Sequence, residues 1–215
     1  MLKLWMACII AALAAVVGIG SSRTAVAADV SFRWAILADS VEGMRALDFS
    51  GSPIVFSGTA LQLYIEHLNN CHVYLYLLDS SRQLTAIYPP QKGYYDYGFP
   101  RGPKLVPPGS QSFTFVPPPG EETLLLVASA DRLFQLEELT QIYNDDPSQR
   151  GQQELLIERV EQLIEGREKE SRAAEDRKVV TVRYNDDGAI AERRFEAVEV
   201  DMKNLYGRKL VIDHR

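Results

Sequence analysis

The stretch that most constrains the fold is CHVYLYLLDSSRQLTAIYPP, residues 71–90. Within it Val73, Leu75 and Leu77 alternate with Tyr74, Tyr76 and Leu78. Successive side chains of a strand point to opposite faces, so this is a strand with one aliphatic and one largely aromatic face. Asp79-Ser80-Ser81-Arg82 supplies turn chemistry, and residues 84–88 read as the next strand. That strand stops at Pro89-Pro90, because proline brings no N–H to a ladder. A mostly antiparallel β domain follows from these residues alone.

Residues 61–68 alternate in the same way, with Leu61, Leu63 and Ile65 on one face. Joined over Asn69-Asn70, the two strands are expected to form an antiparallel hairpin. A loop of odd length pairs Ile65 with Leu75 and Leu63 with Leu77, which puts all four aliphatics on one buried face. Tyr64, Tyr74 and Tyr76 then share the opposite face, where two helices are expected to cover them. The same register sends His67 and His72 to opposite faces.

Residues 89–119 hold nine of the eleven prolines and read as loop, broken by one short strand at 112–116. The first part of that loop, GYYDYGFPRG, carries Tyr94, Tyr95, Tyr97 and Phe99. TLLLVAS at 123–129 is apolar throughout, the pattern of a strand buried on both faces. Earlier, VSFRWAILA at 30–38 reads as an opening strand.

From Asp131 the apolar period becomes helical. Asp131 is the expected cap, and Leu133, Leu136, Leu139 and Tyr143 follow at helical spacing up to Pro147. A second helix is expected over 152–176, its tail REKESRAAEDR fully solvated. Strands at 179–184, 194–200 and 209–213 close the chain, the first two joined by the Asn185-Asp186-Asp187-Gly188 turn. The expected fold class is α+β, mainly antiparallel β, with a β-sandwich-like core, two packed helices and a closing set of C-terminal strands. The expected organisation is a signal peptide at 1–27, a β-rich core at 29–145 with its Pro/Gly/aromatic loop, and a helix plus strands at 146–215 packed on the same domain.

The leader expectation rests on Lys3, the apolar run 6–20 and the small residues of Ala25-Val26-Ala27. The run is shorter than the roughly 20 residues a membrane span needs, so no span is expected in the mature chain. Cleavage takes the formal net charge from −6 to −8, because it removes Lys3 and Arg23 and no acid. An acidic body does not favour nucleic acid phosphates or an anionic lipid surface. Cys8 leaves with the leader, so Cys71 stands alone and is read as a small buried residue.

The search for chemistry yields little. His67 and His72 beside Cys71 suit zinc by type, but the expected register separates the two rings, so no metal site and no cofactor is assigned. No nucleophile elbow and no phosphate-cradling glycine loop is present. A Ser-His-acid triad is defined by geometry rather than by sequence, and so stays open. The aromatics Tyr94, Tyr95, Tyr97 and Phe99 are the candidate binding residues, for stacking on sugar rings or gripping a peptide; the bland alternative is that they anchor the loop to the sheet.

The order Ser57-Gly58, Leu61-Gln62-Leu63-Tyr64-Ile65, Val73-Tyr74-Leu75-Tyr76-Leu77-Leu78-Asp79, a turn, then residues 84–89 and a Gly-Pro loop running to Ser129 resembles the bacterial "domain of unknown function 4384". The resemblance covers residues 58–129. Ser80-Ser81-Arg82-Gln83 lacks the turn glycine usual in that family, and Pro90 stands where asparagine is common. The resemblance implies an exported β-rich module and supplies no activity and no site residues. The functional expectation is a non-enzymatic envelope module, periplasmic or secreted, that binds a protein partner. A glycan- or peptidoglycan-binding module using residues 94–99 is the alternative, and an envelope hydrolase the second.

Overall fold

The computed structural model describes residues 30–186 and 188–215. The leader expected at 1–27 lies outside the described residues, as does Asp187 of the expected turn. Along the chain the elements are β1 (Val30–Ala38), β2 (Arg45–Ala46), β3 (Ile54–Val55), β4 (Ala60–His67), β5 (His72–Leu78), β6 (Leu84–Tyr88), β7 (Gly102–Val106), β8 (Phe113–Thr114) and β9 (Gly120–Ser129). Then come α1 (Phe134–Asp145), α2 (Arg150–Ile164), α3 (Glu168–Ala173), β10 (Glu175–Asp186), β11 (Ala189–Met202) and β12 (Leu205–His214). The fold is α+β and mostly antiparallel.

The strands make two sheets. One runs β10-β11-β1-β4-β7, with β2 added to β1 and β8 to β4; the other runs β3-β12-β9-β5-β6. Every pairing is antiparallel except the parallel contact of β3 with β12. Between the sheets lies the main core, with Phe32, Trp34 and Ile36 of β1, Leu63 and Ile65 of β4, and Val73 and Leu75 of β5. The first sheet curls, so that its edges β10 and β7 approach each other. Its concave face encloses a second cluster of Ala35, Leu37, Tyr64, Leu105, Val180, Val182, Phe195 and Ala197. Alternation along β1 feeds both clusters, one residue to each in turn.

The hairpin expected over Asn69-Asn70 does not form. β4 pairs with β1, β7 and β8, whereas β5 pairs with β6 and β9 in the other sheet. The crossing is fixed at its corner. The carbonyl of Ser31 accepts N–H bonds from Leu68 and Asn69 at 3.0 and 3.2 Å, and the Asn69 side chain accepts the Cys71 N–H at 3.0 Å. Leu63, Ile65 and Leu75 are core at 4%, 0% and 1% exposure, but they meet face to face across the sandwich rather than edge to edge. Leu77 is half-buried.

Three further expectations fall with the hairpin. Tyr64 lies in the curl of the first sheet, not under the helices, while Tyr74 and Tyr76 are covered by α1. His67 and His72 do not separate: both rings pack on Tyr95 and Phe99. Residues 102–106 are strand rather than loop. Pro103 is tolerated there because β7 ends the sheet path, and an edge strand does not need every N–H.

The helical region also differs in detail. Asp131 does not cap α1, whose N-cap is Leu133, with no side-chain cap bond. The second helix breaks at Gly166, which takes φ +72°, and its expected solvated tail is partly structural. Ser171 is fully buried and its Oγ accepts the Gly207 N–H at 3.0 Å. Glu175 begins β10 and takes a hydrogen bond from the Tyr206 hydroxyl at 2.8 Å. As expected, β9 is buried on both faces, being central in its sheet with a sandwich partner on one side and helices on the other.

Candidate functional site

A cleft of about 430 Å³ opens between the loop after β6 and helix α1. That volume lies within the range of small-ligand and peptide-anchor pockets. Its floor is the aromatic face of β5, Tyr74 and Tyr76, which the alternation of residues 73–78 turns away from the core between the sheets. Pro89, Pro90 and Tyr94 line one wall, and Glu137, Glu138, Thr140, Gln141 and Ile142 the other.

Burial fixes the hydroxyls of the floor. The Thr140 hydroxyl donates to the Leu136 carbonyl at 2.7 Å, so the Tyr76 hydroxyl, 2.8 Å away, donates to Thr140. Tyr74 donates to Glu137 at 2.8 Å and accepts the Leu133 N–H at 3.1 Å. Desolvation pushes both phenols far above their ordinary pKa, so they remain neutral donors. The first turn of α1 is thus tied to β5 by a side chain on the strand, which does the work of the missing cap.

Arg132 closes one end of the cleft. Its guanidinium meets Glu137 at 2.6 Å on the helix side and Asp96 at 2.6 Å on the loop side. Hydrogen bonds to Glu137, ahead of those to Asp96, hold it firmly charged. It also stacks over Phe134, with 4.7 Å to the ring centroid. Gly93 makes the loop's approach feasible: at φ +68°, an added Cβ would lie 2.6 Å from an Asp96 carboxylate oxygen.

The four aromatics expected as binding residues part company. Tyr95 is 6% exposed; its hydroxyl donates to the Val73 carbonyl at 2.7 Å and accepts the Val73 N–H at 2.9 Å. Tyr94 lines the cleft, with its hydroxyl 3.0 Å from that of Tyr88. Phe99 packs on His67, Tyr94 and Tyr95, with centroids 4.6, 5.9 and 4.8 Å away. Tyr97 is 98% exposed and touches none of them. Arg132, Glu137 and the Tyr74 and Tyr76 hydroxyls were not anticipated. The signal for them was the aromatic face of β5, which needed hydroxyl partners once buried.

His67 belongs to this aromatic cluster. Its Nδ1 is 3.0 Å from the Cys71 carbonyl and its Nε2 2.9 Å from the Tyr88 hydroxyl. Burial pushes its pKa down to about 4, so the ring is neutral at pH 7. With Nδ1–H given to Cys71, Nε2 accepts from Tyr88. Burial pushes the Cys71 thiol up to about 11, which keeps it an unreactive thiol. Among the described residues no group of three or more His, Cys, Asp or Glu is placed to hold a metal ion. No helix among them is long and apolar enough to cross a membrane.

No curated protein and no solved structure matched the chain. Residues 55–132, the span that contains the cleft's floor, its loop wall and Arg132, match the family model described as Domain of unknown function (DUF4384).

Proposed function

We propose that this protein is an exported module of the bacterial cell envelope that binds a protein partner in the cleft between the loop after β6 and α1. The observation that carries this reading is the Asp96–Arg132–Glu137 bridge, which holds loop and helix apart over a floor of donor phenols. Such a cleft offers apolar surface from Pro89, Pro90 and Ile142 and mixed charge at the rim, the make-up of a protein contact rather than of a catalytic centre. The acidic mature charge and the leader read from residues 1–27 agree with an envelope location outside nucleic acid and lipid binding.

A glycan reading draws on one observation, the fully exposed ring of Tyr97. The other three loop rings spend their faces on one another and on the histidines, which leaves little for a sugar to stack on. The two readings separate by binding assays on envelope fractions. Retention of a partner that Ile142→Asp abolishes and Tyr97→Ala spares supports the protein reading. Sedimentation with purified peptidoglycan that Tyr97→Ala abolishes overturns it in favour of the glycan.

A further inference from the structure

We propose that Ser57, His214 and Glu122 form a second site, a serine-nucleophile centre that hydrolyses activated carboxylic esters bearing an apolar acyl group. Three distant parts of the chain build it. Antiparallel pairing sets Ile212 of β12 opposite Glu122 of β9, so His214, two residues on, shares a face with Glu122. Parallel pairing sets Val55 of β3 beside His214, and the Ser57 N–H donates to the Arg215 carbonyl at 2.8 Å. The Ser57 hydroxyl then lies 2.8 Å from Nε2 of His214, and Nδ1 lies 2.9 Å from a Glu122 carboxylate oxygen.

His214 and Glu122 are each 2% exposed, whereas Ser57 faces solvent. A neutral imidazole that gives its Nδ1 proton to Glu122 presents the Nε2 lone pair to the Ser57 O–H. That is the tautomer a general base needs. The Phe115 ring, 5.0 Å from the imidazole centroid, fixes its plane.

Two independent features point to a ligand. The second oxygen of Glu122 is buried with no hydrogen-bond partner among the described residues, a cost that a simple structural tie does not require. Around Ser57, the segments 54–59 and 113–116 are joined by Gly58 N–H to Phe115 O at 2.8 Å and Phe115 N–H to Thr59 O at 3.2 Å. They leave Ile54, Phe56, Phe113 and Val116 exposed by 49%, 62%, 39% and 67%. These exposed apolar residues adjoin Ser57 along the two joined segments, and an acyl chain is the substrate group such a surface suits.

In the reaction Ser57 Oγ attacks the ester carbonyl carbon while its proton passes to Nε2 of His214. The tetrahedral adduct expels the alcohol, which takes that proton, and leaves an acyl-Ser57. Water then attacks the acyl carbon, its proton passing to Nε2 and on to the serine oxygen as the carboxylic acid departs. Glu122 is a positioning residue. The substrate class follows from the backbone: the N–H groups of Ser57, Gly58 and Thr59 donate to Arg215, Phe115 and Phe56 carbonyls. They are not free to stabilise an oxyanion, a contribution worth about 100- to 1,000-fold per donor. The site is therefore suited to esters and thioesters with good leaving groups and not to amides.

The test uses the purified protein with a fluorophosphonate probe and with p-nitrophenyl acetate, butyrate and octanoate. The expected results are a single phosphonyl adduct on Ser57, located by peptide mass spectrometry, and hydrolysis that falls about 100-fold or more in Ser57→Ala. Ser57 is exposed, so this variant keeps the fold, as an unchanged melting temperature verifies. Glu122→Gln is expected to move the pH profile of kcat/KM, and Glu122→Asp to restore part of the rate. Absence of the Ser57 adduct, or equal hydrolysis by the wild type and Ser57→Ala, overturns the proposal and leaves the cleft reading untouched.

Discussion

Arg82 lies in the turn that lacks the glycine usual in the family this segment resembles, and its backbone is left-handed, with φ +62°. The turn closes through Arg82 N–H to Asp79 O at 2.8 Å and Asp79 N–H to Gln83 O at 3.0 Å, with the left-handed residue at its end. A side chain at such a φ costs about 1 kcal/mol. Arg82→Gly should therefore raise stability by about that amount in denaturant titration, less the greater freedom of glycine in the unfolded chain; a loss of stability contradicts the strain. His67 carries a pH prediction. Its folded pKa, about 4, lies below the ordinary 6.5, so between these values the unfolded chain binds the extra proton. Stability should fall as pH drops through that window, by at most roughly 3 kcal/mol from this residue. Thermal melts of His67→Gln should show a shallower decline from pH 6.5 to 4 than wild type; parallel declines contradict the assignment.

At the scale of elements, Tyr95 does a strand's work from within a loop. β6 stops at Tyr88, opposite Leu75, so Val73 has a neighbour only in β9. The Tyr95 hydroxyl serves both backbone groups of Val73 on the bare side. Tyr95→Phe should cost about 1–3 kcal/mol, since it strands a buried N–H and C=O, while Tyr97→Ala should be close to neutral; chemical denaturation of both variants checks the contrast. This is also where legibility ends. Period-two alternation in residues 61–68 and 73–78 revealed strands and buried faces, but an aliphatic face is satisfied equally by a hairpin or by a partner across a sandwich. The bonds of Ser31 and Asn69 that decide between them span the sequence too widely to be read. Aromatic loop residues were legible by type and not by depth. Ser57 and His214, 157 positions apart, carry no local signal at all.

Across the whole molecule, the segment that matches the family model contributes strands to both sheets, and the rest of the chain completes both. In one sheet β1 pairs with β4 and β11 lies beyond it, and in the other β12 lies between β3 and β9. A chain ending after Arg132 would leave the edge of β9 unpaired and uncover Tyr74 and Tyr76 by removing α1. Such a truncation should fail to fold, visible as lost near-ultraviolet dichroism and no cooperative melt; a cooperative melt contradicts the shared-sheet account. The central claim concerns the cleft. A photocrosslinking residue at Ile142, on its rim, tests it most directly against the same residue at Leu155, which is 51% exposed on α2. Irradiation of cells is predicted to give a discrete adduct from position 142 alone, lost when Lys92→Glu and Glu138→Lys reverse the rim charges. No adduct at 142, or the same adducts from both positions, would contradict it.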